Sequence, residues 1–475
     1  MLRIFKASIA EQVGKLAGVG TTAVENAIEV ADTSRHGDLA ISVARLRTKH
    51  NPVQLAQAIA EQFAPNECIA EASAAGPYVN FRISHSALAF HVLPAVHALG
   101  NTYGQSSQGA GKRVIVEFGS PNIAKPFHVG HLRSTIIGNF VHNLHKLHGW
   151  DSIAMNYLGD WGTQYGLLAI GFDKMGSEKE LADDPITHLY NVYVAINRMA
   201  SVDPAVQEEA CKYFKRMEDG DAVALAQWQR FRSLSIAKYD ETFERLGIHF
   251  DVHSGESQVS EGIVMAMQML KDTGLLGNCE GAQIVQQDDK SLGMLVVKKN
   301  DGASTYLLRD VGAAIERYNA YHFDKMIYVV GAEQECHMRR VFKTVESLRL
   351  PFSGTLQHVG FGKVGGMSTR QGNVQYASYE SPEHAASVLG QSCVYIQDMS
   401  TKRNKGYQFE WSRMLSLKGN TGADLQYTHA HLCSLARIYG GTLADAADYE
   451  LLPELLAKNV VLLVAQYPDI LETAL

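Results

Sequence analysis

Apolar positions recur at helical spacing from the first residues, with Leu2, Phe5, Ile9, Val13 and Leu16 on one side of a helix spanning 1–18. After the turn Ala75-Gly76-Pro77, the alternation Tyr78-Val79-Asn80-Phe81-Arg82-Ile83 predicts a strand. The Gly/Ser/Gln-rich stretch 104–111 then reads as a linker, closing an α+β unit over 1–108. Beyond it, Val114-Ile115-Val116-Glu117-Phe118 is a β-branched run of the kind found in buried parallel strands, followed by a loop at 119–127 and a helix over 131–148. Strand, loop and helix in that order open a nucleotide-binding α/β fold. Further strands are expected at 152–157, 292–298, 326–330 and 357–361, with helices between them such as 186–199 and 222–246. These make 109–382 an α/β domain carrying a long helical insertion. From 383 to 475 the pattern is helical, including 425–439 and 451–466, which predicts an all-α third unit.

Composition narrows the class. With 46% hydrophobic and 20% charged residues among 475, the chain can bury large cores and is not a disordered protein. The purest apolar run, 460–465, is far short of the roughly 20 residues a membrane helix requires, so no membrane partner is expected. A net charge of -7 excludes a protein coated in positive charge, so any nucleic-acid contact must use a local basic face. The six cysteines (Cys68, Cys211, Cys279, Cys336, Cys393, Cys433) form no C-x-x-C pair, which indicates neither a disulfide framework nor a zinc site and fits a reducing compartment. No metal-ligand set is expected. The first helix carries Arg3, Lys6 and Lys15 against Glu11, a balance that suits both an organellar presequence and an ordinary first helix.

The chemistry concentrates in Pro121-Asn122-Ile123-Ala124-Lys125-Pro126-Phe127-His128-Val129-Gly130-His131, between the buried strand and its helix. A helix N-terminus already favours anions, imidazoles can donate to phosphate oxygens, and Gly130 lets a flat base or a phosphate approach the backbone. Read alone, His-x-Gly-His is as compatible with capping or core histidines; the strand before it and the helix after it favour a phosphate and adenine seat. Rival phosphate motifs fail. Gly104 and Gly109 have P-loop spacing, but Ala110 stands where the lysine belongs, and no G-x-G-x-x-G follows a strand.

Glu117-Phe118-Gly119-Ser120-Pro121-Asn122 through His128-Val129-Gly130-His131-Leu132-Arg133-Ser134-Thr135 resembles the signature of the arginyl-tRNA synthetases, a class I family. Asn156-Tyr157-Leu158-Gly159-Asp160-Trp161-Gly162-Thr163-Gln164 and Ser254-Gly255-Glu256-Ser257 resemble its next segments, and Arg35-His36-Gly37-Asp38 with 75–81 resembles its additional N-terminal domain, which in relatives contacts the tRNA elbow. The resemblance implies a Rossmann-like catalytic domain with helical insertion, flanked by that α+β domain and a C-terminal all-α anticodon-binding bundle. It implies ATP-dependent activation of L-arginine and transfer to tRNA(Arg), with ATP as substrate, Mg²⁺ on its phosphates, and a monomer. Carried over residue by residue, it assigns catalysis to His128, His131 and Lys125, and ATP binding to His128, Gly130, His131, Met367 and Ser368. It assigns the arginine substrate to Ser120, Pro121, Asn122, His131, Tyr306, Asp310 and Gln334, with Glu117 a further acid for the guanidinium. A desolvated guanidinium needs such carboxylates. Spacing alone makes Tyr306 a core aromatic and Asp310 a surface acid that share one helix face.

Two departures from the family pattern stand out. The class carries a Lys-Met-Ser-Lys-Ser loop, where this chain has Gly366-Met367-Ser368-Thr369-Arg370-Gln371-Gly372; this nominates Lys125, with Lys363 and Arg370 behind it, to supply the missing charge. The segment after Val374 is shortened and the sequence stops at Leu475, ahead of the last helices of relatives, so a truncated bundle of low stability and low tRNA affinity is expected. The basic N-terminus and the 366–370 sequence resemble mitochondrial members, implying the mitochondrial matrix with the cytoplasm as alternative. The competing functions are a non-catalytic tRNA-binding or regulatory derivative of the same fold, and a class I nucleotidyl transferase with a different small substrate.

Overall fold

The computed structural model describes residues 1–31, 37–287, 289–300, 302–365, 382–439 and 455–475. Met367, Ser368, Arg370, Arg35 and His36 lie outside them. The chain divides into one unit of 1–106 with 441–475 and a second of 107–440.

In the first unit the helical spacing of Phe5, Ile9 and Val13 forms α1 (Arg3–Ala17), which buries all three completely. The short helix α2 (Thr21–Glu25) leads to β1 (Ile28–Val30) and β2 (Leu39–Ser42). Asn51 caps α3 (Pro52–Gln62) through Val53 and Gln54, with Pro52 at the first helical position. Strands β3 (Ile69–Ala75) and β4 (Tyr78–Ile83) and helix α4 (His85–Leu99) complete an antiparallel sheet of order β1-β2-β4-β3 with its helices. Val79, Phe81 and Ile83 are buried, as the alternation requires. The terminal helix Leu455–Ala474 adds Val461, Leu462 and Ala465 to this core. Its Lys458 Nζ lies 2.7 Å from Asp38 Oδ2, both side chains sealed from solvent. The helical stretch expected over 383–475 is therefore shared between the two units.

The second unit is built on β5 (Arg113–Glu117), α5 (Val129–Leu147) and β6 (Asp151–Leu158). The helical insertion follows as α6 (Thr163–Met175), α7 (Glu178–Asp183), α8 (Pro185–Val202), α9 (Pro204–Glu218) and α10 (Ala222–Arg245). The chain returns through β7 (Val252–Gly255) and α11 (Ser260–Asp272) to a small antiparallel sheet of β8 (Leu276–Cys279), β9 (Ala282–Val285) and β10 (Leu295–Lys298). Then come α12 (Tyr306–Tyr321), β11 (Lys325–Tyr328), α13 (Glu335–Ser347), β12 (Leu356–His358) and β13 (Val364–Gly365). Helix α14 (Pro382–Met399), β14 (Tyr407–Gln408), α15 (Trp411–Met414) and α16 (Gly422–Tyr439) end it.

The main sheet is parallel, of order β12-β11-β5-β6-β7. Winding runs outward from β5 through β6 to β7, then resumes on the other side at β11, so the order reverses between β5 and β11. Such a reversal opens a crevice at the carboxyl ends of the two strands. Both sheet faces are covered: Val114 and Val116 join the core against the insertion helices, while Ile115 joins the core under α11, α12 and α13.

Removing Asp38 would leave the Lys458 ammonium buried and unpaired. Asp38→Ala is expected to cost about 3 kcal/mol, and Asp38→Leu combined with Lys458→Met to recover most of it. Urea unfolding of the three proteins measures this; equal midpoints for wild type and Asp38→Ala would contradict it.

Candidate active site

The crevice is lined by two loops that other residues hold rigid. Gly119, just after β5, has φ +80°, and a Cβ there would lie 3.1 Å from Asn156 Nδ2 and 3.2 Å from Thr135 Oγ1, so glycine is required. Its N–H donates to Ser134 Oγ at 3.0 Å, and that hydroxyl donates to the Val329 carbonyl at 2.7 Å, tying α5 to both sides of the reversal point. Pro121 and Asn122 run alongside Gly159, whose N–H donates to the Pro121 carbonyl at 3.2 Å. From the insertion, Tyr239 Oη donates to the carbonyls of Asn122 (2.6 Å) and Lys125 (2.7 Å), and Ser235 Oγ accepts from Ala124 N–H at 3.0 Å. Ser120 Oγ is buried and has no partner in this frame.

At the start of α5 the two histidines cap each other. His128 Nδ1 accepts from Gly130 N–H at 3.2 Å, and His131 Nδ1 accepts from His128 N–H at 3.3 Å. Their rings stack with centroids 3.7 Å apart. A Cβ on Gly130 would sit 3.1 Å from the His128 ring, so glycine is what lets that ring fold back over the helix. Burial, with His128 and Lys125 adding to it, pushes His131 down to about 3; burial lowers His128 too. With each Nδ1 accepting, each neutral ring carries its proton on Nε2, so both are hydrogen-bond donors rather than cations. The Lys125 ammonium stands 5.2 Å over the Tyr193 ring of α8. His128, Gly130 and Arg133 share a cavity of about 330 Å³ with Glu333, Phe361, Gly362, Lys363 and Val364. The structure brings the two histidines of the sequence motif together as a stacked pair, and burial favours the uncharged form of both rings.

A second cluster gathers at the strand ends. Burial raises the carboxyl of Glu117, the phenols of Tyr157 and Tyr328, and the carboxyl of Glu256, and the Asp310 carboxylate raises each further. These four residues stand at or beside the carboxyl ends of β5, β6, β11 and β7, so Asp310 overlooks the crevice. Three acids here face a resident guanidinium: Glu117 with Arg317 at 2.6 Å, Asp160 with Arg232 at 2.7 Å, and Glu256 with Arg309 at 3.7 Å. Asp310 instead meets an imidazole, His337 Nε2, at 2.5 Å, and its side chain is 27% exposed. Glu117, expected to face a substrate guanidinium, is thus committed to Arg317 within the core. Ser257 N–H and Oγ both donate to Asp160 at 2.9 Å, fixing the loop that carries Glu256. Burial, with Asp310 and Asp160 opposing the help of Arg309, takes Glu256 to about 7.

Tyr306 is not a core aromatic. It opens α12, is 65% exposed, and its ring lies 4.5 Å under the Arg309 guanidinium. Gln334 is exposed on the single 3-10 turn after β11. Glu256, Arg309, Arg317 and Arg133 were missed as contributors, because nothing in their local spacing separates them from surface charges.

Residues 93–377 match the model of the catalytic domain of class I tRNA synthetases (R), and residues 3–83 match that of the arginyl-tRNA synthetase N-terminal domain. The cytoplasmic arginine–tRNA ligase of Saccharomyces cerevisiae is 44% identical over 504 residues, covering 98% of this chain and 83% of that one. The mitochondrial arginine–tRNA ligase of the same yeast is 40% identical, covering 100% and 79%. This chain belongs to the arginyl-tRNA synthetases. Like other arginyl-tRNA synthetases it is a class I arginine–tRNA ligase, and ATP is its substrate. The arginyl-tRNA synthetase of Thermus thermophilus superposes with a TM-score of 0.75 at 18% identity, covering 100% of this chain and 87% of that one, a likeness of fold.

The histidine geometry has a direct test. Unfolded, His131 would protonate near 6.5; folded, it stays neutral to about 3, so its burial lowers stability increasingly as pH falls below 6.5. Ring-proton NMR of wild type against His131→Gln is expected to show no His131 titration between pH 8 and 5. A midpoint above 5.5 would contradict the buried, neutral ring.

Proposed function

We propose that Asp310 is the acid that receives the guanidinium of the arginine substrate. The observation that carries this is the charge pairing: among the described residues of the cluster, the other three carboxylates each make an ion pair with an arginine side chain, and the ion-pair contact of Asp310 is the imidazole of His337. Glu256 flanks it, and Tyr306, one turn earlier on α12, offers an exposed ring face. Glu117 acts indirectly, by holding Arg317. Gln334 and the unpartnered Ser120 Oγ, with Pro121 and Asn122, take the α-amino end.

ATP occupies the cavity beside α5. The Nε2–H groups of His128 and His131 donate to its phosphate oxygens, and Lys125 supplies positive charge. The substrate carboxylate attacks the α-phosphorus in line, forming arginyl-adenylate as pyrophosphate leaves. A hydroxyl of the terminal tRNA ribose then attacks the adenylate carbonyl and AMP departs. Met367 and Ser368 remain assigned to ATP by sequence. Mg²⁺ would come with the ATP phosphates, where it would offset their charge.

Residues 1–108 contact the tRNA elbow in this reading, 109–382 form the catalytic domain, and 383–475, apart from the helix Leu455–Ala474 that packs in the first unit, contribute to anticodon binding; the protein acts as a monomer. The mitochondrial matrix is the proposed compartment and the cytoplasm the alternative, since relatives of both kinds stand at 40–44% identity. Import of the radiolabelled chain into isolated mitochondria separates the two.

Arginine-dependent charging of tRNA by the purified chain tests the reaction, and is expected to be lost in His131→Ala. Asp310→Asn is expected to raise KM for arginine by about 100-fold, roughly 3 kcal/mol, with an unchanged melting temperature. Glu117→Gln should instead lower the melting temperature by leaving Arg317 buried without its partner. The opposite pattern would reassign the guanidinium site to Glu117.

A further inference from the structure

Arg133 follows His131 by two residues in α5, and its side chain is only 1% exposed. A buried guanidinium needs its donors satisfied, and here the two Nη groups find main-chain acceptors on two separate segments. Nη1 donates to the Gly362 carbonyl at 2.7 Å and to the Lys405 carbonyl at 2.9 Å, and Nη2 donates to the Arg403 carbonyl at 3.4 Å. Nε is 3.4 Å from Asp398 Oδ1 on α14. The Tyr407 ring lies 5.1 Å away and its Oη donates to the same Asp398 oxygen at 3.0 Å. Burial, opposed by Arg133, takes the Asp398 carboxyl up to about 6.

The two segments are also fastened to each other. Gly362 N–H donates to the Arg403 carbonyl at 2.9 Å, and Val364 of β13 pairs with Tyr407 of β14. Phe361, Gly362, Lys363 and Val364 form the wall of the 330 Å³ cavity that faces His128 and Gly130. One side chain thus joins the histidine helix to the opposite wall of the nucleotide cavity and to the strand behind that wall.

We propose that Arg133 is a positioning residue for ATP, holding the wall formed by residues 361–364 at the spacing from His128 and Gly130 that the nucleotide requires. The proposal rests on the placement of ATP in that cavity. Lysine cannot replace the fork: a point charge on a flexible stem reaches one or two of these acceptors, not four groups on three segments. Stability alone does not call for an ion pair here, since apolar residues of similar volume commonly replace buried pairs at little cost.

Two full-length variants test it. Arg133→Lys keeps a charge toward Asp398 and loses the fork. Arg133→Met combined with Asp398→Leu removes both charges, so neither ion is left buried without the other, although the Tyr407 hydroxyl and three carbonyls lose a partner, and the variant is expected to remain folded. Calorimetric titration with ATP alone should show affinity reduced about 10-fold in Arg133→Lys and at least as much in the double variant. KM for arginine should stay within about twofold. A folded variant that binds ATP like wild type overturns the proposal, as does a parallel loss for ATP and arginine, the signature of general structural damage. ATP binding needs no amino-acid chemistry, so wild-type protein that binds ATP without charging arginine would sink the substrate assignment while the ATP comparison still decides this one.

Discussion

A site that selects arginine must place carboxylates where water is scarce, and carboxylates gathered in such a place repel one another and protonate. The rest of the crevice depends on how that conflict is handled. Arg317, Arg232 and Arg309 each face one acid from inside the protein, so most of the negative charge is matched before substrate arrives. The match is incomplete at Asp310, and incomplete matching is what leaves attraction for one more guanidinium. Glu256, poised at about 7 by burial and its acidic neighbours, reports the same surplus of negative charge.

Such pairing has to be held in register, and the insertion does much of the holding. Helix α10 supplies Trp228, whose indole N–H donates to the Asp160 carbonyl, and Arg232, which pairs with the Asp160 side chain. From the same helix, Ser235 and Tyr239 grip the loop between β5 and α5. One long helix therefore braces both loops that line the crevice, and a shift in it would move Asn122, Lys125 and Glu256 together. This gives the insertion a mechanical part in the site.

The sequence made the elements with strong periodicity plain. Tyr78–Ile83 forms the strand its alternation predicts, and β5, α5, α8, α10 and α16 lie within a few residues of their expected positions. The short strands β1, β8 and β9 were not legible, because three or four residues carry too little pattern to stand out from turns. The His-Gly-His segment was legible because a strand and a helix frame it. The acid cluster was only half legible: Asp310 and Glu117 came from the family pattern, but which of them is free depends on Arg317, Arg232 and Arg309, brought in from distant points of the chain by the sheet. Protonation was not legible at all, since the depressed His131 follows from burial, with His128 and Lys125 adding to it, and no spacing reveals that burial.

The two clusters also divide the chemistry between them. Arginine and ATP are an awkward pair of substrates, because a guanidinium and a phosphate bind each other strongly and bidentately. If both met in an unstructured crevice, the side chain of arginine would compete for the phosphates and its carboxylate would be misplaced. In the proposed reading an acidic patch at the ends of β5, β6, β7 and β11 would hold the guanidinium by opposite charge, while the N-terminus of α5, with its donors and positive dipole end, suits the phosphates. Neutral histidines at that end matter for the same reason. Imidazolium rings beside the acidic patch would attract its carboxylates, whereas neutral Nε2–H donors bind phosphate oxygens without disturbing the charge match. In the proposed arrangement the reacting carboxylate would be left at the boundary between the two regions, facing the α-phosphorus.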